Sequence, residues 1–308
     1  MKHLFLMNPL STVKPWKDTT YHLMLAAAER DHDVYMAAQN DLTLRHDVLF
    51  ASVVAVTVFD NHDKPFETGA PSYVEVASFD CVWERTDPPF NRRYLYTTLL
   101  LDFLPEPVRV INRPSAIRDF NEKLAALKFP SFTPGTLVTA DPNEIRQFIG
   151  EHGRITLKPV DGHGGKGVEF CDANSKDLTG ILERVTAQGT KWTIAQQYLA
   201  AASEGDKRIL LLDGEPIGAI LRVHAEGKEL NNLDAGGTAN PTELTERDHD
   251  ISAAVGPVLQ QAGIVFAGID IIGGLLIEVN VTSPTGLQEA SKFSGKALNH
   301  RIIESLEG

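Results

Sequence analysis

The chain contains little cysteine, and this limits both its compartment and its chemistry. Only Cys81 and Cys171 occur in 308 residues, and both lie among apolar residues with no paired spacing. So few thiols argue against a disulfide framework and indicate a reducing compartment. Because Cys171 follows a strand-like stretch, we expect it to be a small core residue and not a nucleophile.

Basic residues and long apolar runs are also scarce. The 29 lysines and arginines are outnumbered by 41 aspartates and glutamates, which gives a net charge of −12. An acidic surface argues against nucleic acid or an anionic membrane as a partner, although it allows a local basic pocket for an anionic ligand. No run is long enough to span a bilayer, and the apolar part of residues 1–9 is too short for a signal peptide. We therefore expect a cytoplasmic protein.

The length and composition predict an ordinary globular chain of two or three packed units. Apolar residues make up 43% of the chain and charged residues 23%, which is enough for a sizeable core. Strand-like residues 2–7, helical periodicity over residues 19–30 and a second strand at residues 34–37 predict a βαβ unit with a parallel sheet. Residues 41–75 alternate like hairpins, and the sequence leaves their topology open.

Four later segments are predicted from local pattern. One helix is expected to contain residues 121–124, and a strand is expected over residues 193–199. A turn should cover residues 213–216 between two antiparallel strands. Residues 224–242 are polar and rich in glycine, which suits a loop that orders over a bound ligand.

Two charged residues follow a predicted parallel strand at residues 81–83. Arg85 and Asp87 come directly after it, on a loop that prolines fix. Ligands gather at the carboxyl ends of strands in open parallel sheets, so the pair is placed to bind an amino acid or peptide. Surface salt bridges would explain the same two residues equally well.

A glycine-rich turn follows a strand that carries Lys158. Its four glycines are Gly162, Gly164, Gly165 and Gly167. They allow positive φ and close backbone approach, so that successive N–H groups can bind an anion. The P-loop and dinucleotide fingerprints are both missing. A phosphate site and a plain hairpin therefore remain as alternatives.

Residues 268–285 contain two apolar runs divided by a pair of glycines, which predicts a β-hairpin. Asp270 lies on its first strand, and Glu278 and Asn280 lie two residues apart on its second, so the latter two point to one face. A turn at the glycines places Asp270 near Glu278. Mg²⁺ prefers such oxygen ligands. A hydrogen-bonded polar face is the alternative.

Taken in order, these motifs resemble the bacterial glutathione synthetase family of the ATP-grasp superfamily. The resemblance covers nearly the whole chain and rests on the motifs at residues 7–9, 17–20, 85–90, 111–114, 121–124, 157–162, 164–165, 196–199, 205–208 and 268–285. It implies an α/β (α+β) ATP-grasp fold in three parts. These are an N-terminal parallel-sheet α/β domain (1–121), a small lid subdomain (122–198) and a C-terminal mixed-sheet subdomain with the metal site (199–308).

The resemblance implies an ATP site between two subdomains. Two lysines would contact the phosphates, the glycine loop would fold over them, one strand would present backbone groups to the adenine, and an aspartate would meet the ribose. The implied set is Lys123, Lys158, Gly162, Gly164, Gly165, Gln196, Gln197, Tyr198, Leu199 and Asp206.

The resemblance also assigns metal and substrate residues. Asp270, Glu278 and Asn280 would hold two Mg²⁺ ions, replaceable by Mn²⁺, that bridge the phosphates. The substrate-binding residues would be Arg85, Asn280, Ser283 and Thr285, and Asp87 would position Arg85. For charge stabilisation in catalysis, Arg208 is the first candidate and Arg222 the second.

The implied enzyme is an ADP-forming carboxylate–amine ligase that makes glutathione from γ-L-glutamyl-L-cysteine and glycine through an acyl phosphate. Its expected partners are small molecules and copies of itself in a homo-oligomer, a tetramer by resemblance. A related ligase for another peptide and amino acid stays open, because residues 229–237 lack the arginine usual in the family's mobile loop. A nucleotide-binding module without turnover is the alternative of a different class.

Overall fold

The computed structural model describes residues 1–224 and 237–307, and the strands in this part of the chain form three sheets. The first sheet has eight strands, which are β1 (Lys2–Leu6), β2 (Asp33–Ala37), β3 (Leu42–Arg45), β4 (Val48–Val58), β5 (Phe66–Thr68), β6 (Ser72–Glu75), β7 (Cys81–Glu84) and β8 (Arg109–Ile111). The β2-β1-β7-β8 core is parallel, which confirms the predicted βαβ unit. The sequence left β3 to β6 unplaced. In the structure β4 pairs antiparallel with β2, and β3, β5 and β6 each pair antiparallel with β4.

Helices α1 (Thr19–Glu29), α2 (Arg92–Leu101) and α3 (Pro114–Asp119) belong to this first unit. The Asp18 carboxylate accepts a hydrogen bond of 2.9 Å from the Tyr21 amide and so caps the N-terminus of α1. Both cysteines are buried, as expected. Among the described residues, no helix combines the length and apolar character needed to cross a bilayer.

The predicted helix through residues 121–124 is wrong in one respect, because two helices occupy this region. Helix α3 ends at Asp119, and α4 (Glu122–Ala126) starts anew. Asn121 caps α4 by accepting hydrogen bonds from the amides of Lys123 (3.2 Å) and Leu124 (3.0 Å). The Asn121 side chain competes with continuation of α3 and caps the start of a second helix.

The second sheet has four antiparallel strands in the order β11-β10-β12-β9. They are β9 (Thr136–Thr139), β10 (Ile155–Pro159), β11 (Glu169–Cys171) and β12 (Thr193–Gln197), with α5 (Pro142–His152) and α6 (Leu178–Val185) beside them. The strand predicted over residues 193–199 ends two residues early. The Tyr198 amide still donates to the Arg154 carbonyl at 3.1 Å, one step beyond the last strand pair, and the chain then turns into a short 3-10 helix at Ala200–Glu204.

The third sheet has five antiparallel strands in the order β15-β14-β13-β16-β17. They are β13 (Asp206–Leu212), β14 (Glu215–Val223), β15 (Thr238–Asn240), β16 (Phe266–Ile272) and β17 (Leu275–Asn280). One face of β13 packs with α7 (Glu246–Ala262), and the other packs with α8 (Leu287–Ser294) and α9 (Leu298–Glu304). Both faces are therefore apolar, and polar side chains concentrate at the end of the sheet where the site lies.

Two predicted connections differ from the structure. The turn expected over residues 213–216 contains only Asp213 and Gly214, both at positive φ, because Pro216 already pairs with Leu211 in the ladder. The expected loop over residues 224–242 includes strand β15, which pairs with β14. Residues 225–236 of that loop lie outside the described part of the chain.

Asn112 joins the first unit to the third sheet. Its side chain is buried, and its amide donates to the carbonyls of Phe266 (2.7 Å) and Val281 (2.8 Å). Its oxygen accepts from the amides of Val265 (2.8 Å) and Phe266 (2.9 Å). One side chain therefore holds the start of β16 and the residue after β17, the two strands that carry the predicted metal ligands.

We expect Asn112→Ala to lower the free energy of unfolding by about 2–4 kcal/mol, because four backbone groups lose a buried partner. Urea denaturation monitored by circular dichroism measures this loss. The exposed Asn143→Ala serves as control and should change stability by less than about 0.5 kcal/mol. Equal stability of the two variants would contradict the joining role.

Candidate active site

The predicted site residues surround one cavity of about 1030 Å³ between the three sheets. Every residue that the sequence analysis assigned to ATP, metal, substrate or catalysis contributes to its lining. They are Arg85, Lys123, Lys158, Gly162, Gly164, Gly165, Gln196, Gln197, Tyr198, Leu199, Asp206, Arg208, Arg222, Asp270, Glu278, Asn280, Ser283 and Thr285. The structure therefore brings the whole set together, while the role of each residue stays a prediction.

A β-bulge makes the predicted metal cluster. Asp270 pairs with Glu278 across β16 and β17, and the register shifts just after Asp270. In a regular hairpin with the same turn, Ile277 would oppose Asp270, and Glu278 would point to the other face. The bulge therefore places both carboxylates on the cavity side. The Asn280 amide lies 3.3 Å from Asp270 Oδ2.

A buried ionic chain runs through Asp270. Arg208 donates to both of its oxygens at 2.7 Å, and Arg222 Nη2 lies 2.8 Å from Oδ2. Arg222 also donates to both oxygens of Asp206, at 2.6 and 2.8 Å. Burial alone would raise the pKa of Asp270, but the two guanidinium groups outweigh burial and hold that pKa below its ordinary value. Arg222 therefore links the predicted ribose acid to the predicted metal acid.

Lys123 connects the glycine loop to the metal hairpin. Its ammonium donates to the Gly162 carbonyl and to Glu278 Oε1, the latter at 3.0 Å. The contact to Gly162 places the predicted phosphate lysine directly beside the loop that should cover the phosphates. Phosphate oxygens could replace both of these acceptors of the Lys123 ammonium.

Lys158 lies on β10 and donates to Gln196 Oε1 at 2.7 Å. The Gln196 amide in turn donates to Thr136 Oγ1 at 3.0 Å, which fixes its orientation. Burial lowers the pKa of Lys158 from 10.5 to about 8. Lys158 therefore lies in the cavity wall and loses its proton more easily than an ordinary lysine, and a bound anion would stabilise its protonated form.

This pKa predicts proton uptake when nucleotide binds. Phosphate stabilises the ammonium form, so at pH 9, above the pKa of about 8, binding should take up close to one proton and weaken with rising pH. At pH 7 uptake should be nearly absent. Calorimetry in buffers of different ionisation enthalpy measures the uptake. Lys158→Arg, which stays charged, should abolish it, and a buffer-independent heat in the unsubstituted protein would contradict the prediction.

The cavity also has apolar lining residues that the sequence analysis missed, namely Val168, Phe170, Ile272 and Ile277. They were missed because strand alternation does not reveal which apolar side chains meet a cavity. The amides of Gln197 and Tyr198 bond to Gly135 and Arg154 carbonyls. The expected adenine contacts therefore fall to other backbone groups of residues 196–199.

Arg85 is buried, so the alternative of a surface salt bridge is wrong for it. Its Nε donates to Thr20 Oγ1 and its Nη2 to the Pro284 carbonyl, both at 3.1 Å. Ser283 donates to the Thr86 carbonyl at 2.8 Å. The end of β7 and residues 283–284 therefore form one wall of the cavity.

Asp87 pairs with a residue that carried no role in the sequence analysis. Asn8 Nδ2 donates to the Asp87 carboxylate at 3.3 Å, and the Asp87 amide donates to Asn8 Oδ1 at 3.2 Å. The pair joins the ends of β1 and β7. That Asp87 positions Arg85 stays a prediction.

Two family models together account for almost the whole chain. The N-terminal domain of prokaryotic glutathione synthetase matches residues 1–118, and its ATP-grasp domain matches residues 122–295. The chain belongs to the prokaryotic glutathione synthetase family. Similar curated relatives are named glutathione synthetase, from Parasynechococcus marenigrum (43% identical, 99% of each chain) and Gloeobacter violaceus (42% identical, 99% of this chain and 96% of the relative).

Solved structures confirm the fold class. The D-cycloserine synthetase DcsG superposes with a TM-score of 0.69 over 99% of both chains at 16% identity. A RimK domain ATP-grasp protein from Sphaerobacter thermophilus gives 0.64 over 100% of both chains, also at 16% identity. At such identities the likeness shows the fold alone, and it agrees with the ATP-grasp domain of the glutathione synthetase family.

The donor set fits the divalent ion that a glutathione synthetase family member implies. Asp270, Glu278 and Asn280 supply two carboxylates and one amide, and within residues 1–224 and 237–307 no cluster of three or more His, Cys, Asp or Glu side chains forms a further metal site. Arginine and lysine nitrogens now contact both carboxylates. Buried carboxylates require such positive charge, and a divalent ion would replace part of it.

The sequence analysis also missed an acid inside the family's own motif. Glu122 lines the cavity and precedes Lys123, the residue of motif 121–124 to which the resemblance gives a role. Its position next to a predicted phosphate lysine was the available signal.

Proposed function

We propose that this chain is an ADP-forming ligase that joins γ-L-glutamyl-L-cysteine to glycine and so makes glutathione. The observation that carries the proposal is the match of both domain models of the prokaryotic glutathione synthetase family. The cavity supports it, because lysines and arginines line the same space as the carboxylates of Asp270 and Glu278. This arrangement suits a triphosphate and its counter-ions.

The chemistry explains the need for ATP. A carboxylate is a poor electrophile because its leaving group would be oxide. Transfer of the γ-phosphoryl group to the cysteine carboxylate gives an acyl phosphate and ADP, and attack by the glycine amine then expels phosphate. In this chain no nucleophilic side chain is required, since both substrates supply the reacting atoms.

Named side chains take the electrostatic roles. Lys123 and Lys158 would bind the phosphates, and Arg208 would offset charge on the transferred phosphoryl group and the tetrahedral intermediate. A bound divalent ion supplies further neutralisation of phosphate charge. Arg222 bridges Asp206 and Asp270, whereas Arg208 contacts Asp270 alone, so we assign Arg222 first to holding the two aspartates in place and keep it as the second candidate for charge stabilisation.

Several finer features belong to the same proposal. Two Mg²⁺ ions, replaceable by Mn²⁺, would be held by Asp270, Glu278 and Asn280. Arg85, Asn280, Ser283 and Thr285 would contact the dipeptide or glycine. The three-part division at residues 121/122 and 198/199 and a homotetramer follow from the family resemblance, and the cytoplasmic location follows from the sequence pattern.

ADP release by the purified protein tests the function. We expect release from MgATP only when γ-glutamylcysteine and glycine are both present, with glutathione identified by mass. Turnover with another peptide or amine instead would favour the related ligase. Tight nucleotide binding without turnover on any amine would favour the binding module.

A further inference from the structure

Glu122, the first residue of α4, holds the chain just after the metal strand. Its Oε1 accepts hydrogen bonds from the amides of Val281 and Thr282, both at 3.1 Å, and from Thr282 Oγ1 at 2.8 Å. Three donors from two consecutive residues converge on one oxygen. The separation of about 160 residues makes this a tertiary clamp and not a local turn.

The clamped residues lie between two predicted ligands. Asn280 precedes Val281, and Ser283 follows Thr282. Fixing the backbone at residues 281–282 therefore fixes the direction of both neighbouring side chains. Because β17 ends at Asn280, no ladder hydrogen bonds hold residues 281–283 in register.

The same turn of α4 also holds the other parts of the site. Asn121 Nδ2 donates to the Val160 carbonyl at 3.1 Å, at the entry to the glycine loop. Lys123 reaches Glu278 at 3.0 Å. Three consecutive side chains thus connect the glycine loop, the metal strand and the segment after it.

We propose that Glu122 is a positioning residue for ligation, which aims Asn280 at the divalent ion and Ser283 at the substrate through its clamp on residues 281–282. The proposal rests on the proposed function. Glu122 acts as a hydrogen-bond acceptor in this role, so its negative charge is dispensable.

The surroundings of Glu122 support an acceptor role over an ionic one. Burial, and then the nearby Glu278, raise its pKa above the ordinary value, and the hydrogen bonds from Thr282 offset part of that rise. The three groups that donate to its Oε1 are all neutral. Glutamine keeps the side-chain length and a carbonyl acceptor, whereas alanine removes the clamp.

The test compares Glu122→Gln and Glu122→Ala by hydrogen exchange and by nucleotide binding. In Glu122→Ala, amides of a peptide covering residues 279–285 should exchange faster, and the Mg²⁺ concentration needed for binding of a non-hydrolysable ATP analogue should rise about tenfold. Binding of the analogue without metal should stay within about twofold, because residues 196–199 and Asp206 do not touch Glu122. Glu122→Gln should match the unsubstituted protein within about twofold in both measurements.

Two further variants separate positioning from loss of stability. Thr282→Val removes one of the three donors and should shift the Mg²⁺ requirement about threefold. Asp248→Ala removes a buried carboxylate that caps α7, accepting from the Thr245 amide at 2.9 Å, and should lower stability without moving the Mg²⁺ requirement.

Two outcomes would overturn the proposal. One is a Glu122→Ala protein with unchanged exchange and Mg²⁺ requirement. The other is a Glu122→Gln protein as impaired as Glu122→Ala while its amides stay protected, which would assign Glu122 a charged role in the chemistry. Neither measurement requires turnover, so failure of the proposed function, seen as no ADP release by the unsubstituted protein, is a separate result.

Discussion

Glu278→Gln should lower glutathione formation by at least about a thousandfold while the protein stays folded. Glu278 faces the cavity opposite Asp270 and contacts Lys123, so in the proposed function its charge would serve both the divalent ion and a phosphate-binding lysine. Glutamine retains its shape but removes half of the anionic charge of the metal set. The Glu278 side chain is 22% exposed, so the new amide can bond to water and the substitution buries no unsatisfied polar group. Product assay and thermal unfolding, measured together, separate activity from stability.

A matched control on the same sheet strengthens the result. Glu215→Gln, on an exposed position of β14, makes the same chemical change away from the cavity and should leave turnover within about twofold. Turnover of Glu278→Gln within tenfold of the unsubstituted enzyme would show that this carboxylate does not hold the metal.

Arg208→Met should cost both stability and activity. Asp270 is buried and receives two hydrogen bonds from Arg208, so the substitution leaves a carboxylate with only part of its compensation. We expect a loss of about 3 kcal/mol in the free energy of unfolding. Turnover should fall by at least about a hundredfold, because charge on the transferred phosphoryl group loses its guanidinium partner. Urea denaturation and kcat/KM for ATP measure the two effects.

The double variant Arg208→Met with Asp270→Asn separates these effects. Removing the carboxylate charge as well relieves the uncompensated burial, so stability should recover in part while activity stays lost. Recovery of neither property would point to a packing defect. Full activity of Arg208→Met alone would remove Arg208 from the mechanism.

The sequence predicted the hairpin of β16 and β17, because branched apolar runs on either side of two glycines leave few other conformations. It could not predict the bulge that brings Asp270 opposite Glu278, since a shift of one residue leaves no local signature. The same holds for β13 and β14. A regular turn at Asp213 and Gly214 would pair Asp206 with Leu221, and the register shift instead pairs it with Arg222.

The sequence also could not predict contacts between distant segments of the chain. The family motifs located Lys123 and Asn280, but neither shows that Glu122 clamps residues 281–282. The sequence places Arg85 on a loop and gives no sign of its burial, which depends on contact with the distant residues 283–284. Hydrophobic periodicity predicts helices and strands, whereas these contacts depend on how the three sheets pack around the cavity.

γ-Glutamylcysteine labelled with a heavy isotope at both oxygens of its cysteine carboxylate tests the acyl phosphate most directly. Incubation with MgATP, glycine and the enzyme, followed by mass analysis of the phosphate released, reports where the label goes. We predict one labelled oxygen in the phosphate for each glutathione formed, because the carboxylate oxygen leaves with the transferred phosphoryl group. Unlabelled phosphate formed together with glutathione would contradict ligation through an acyl phosphate.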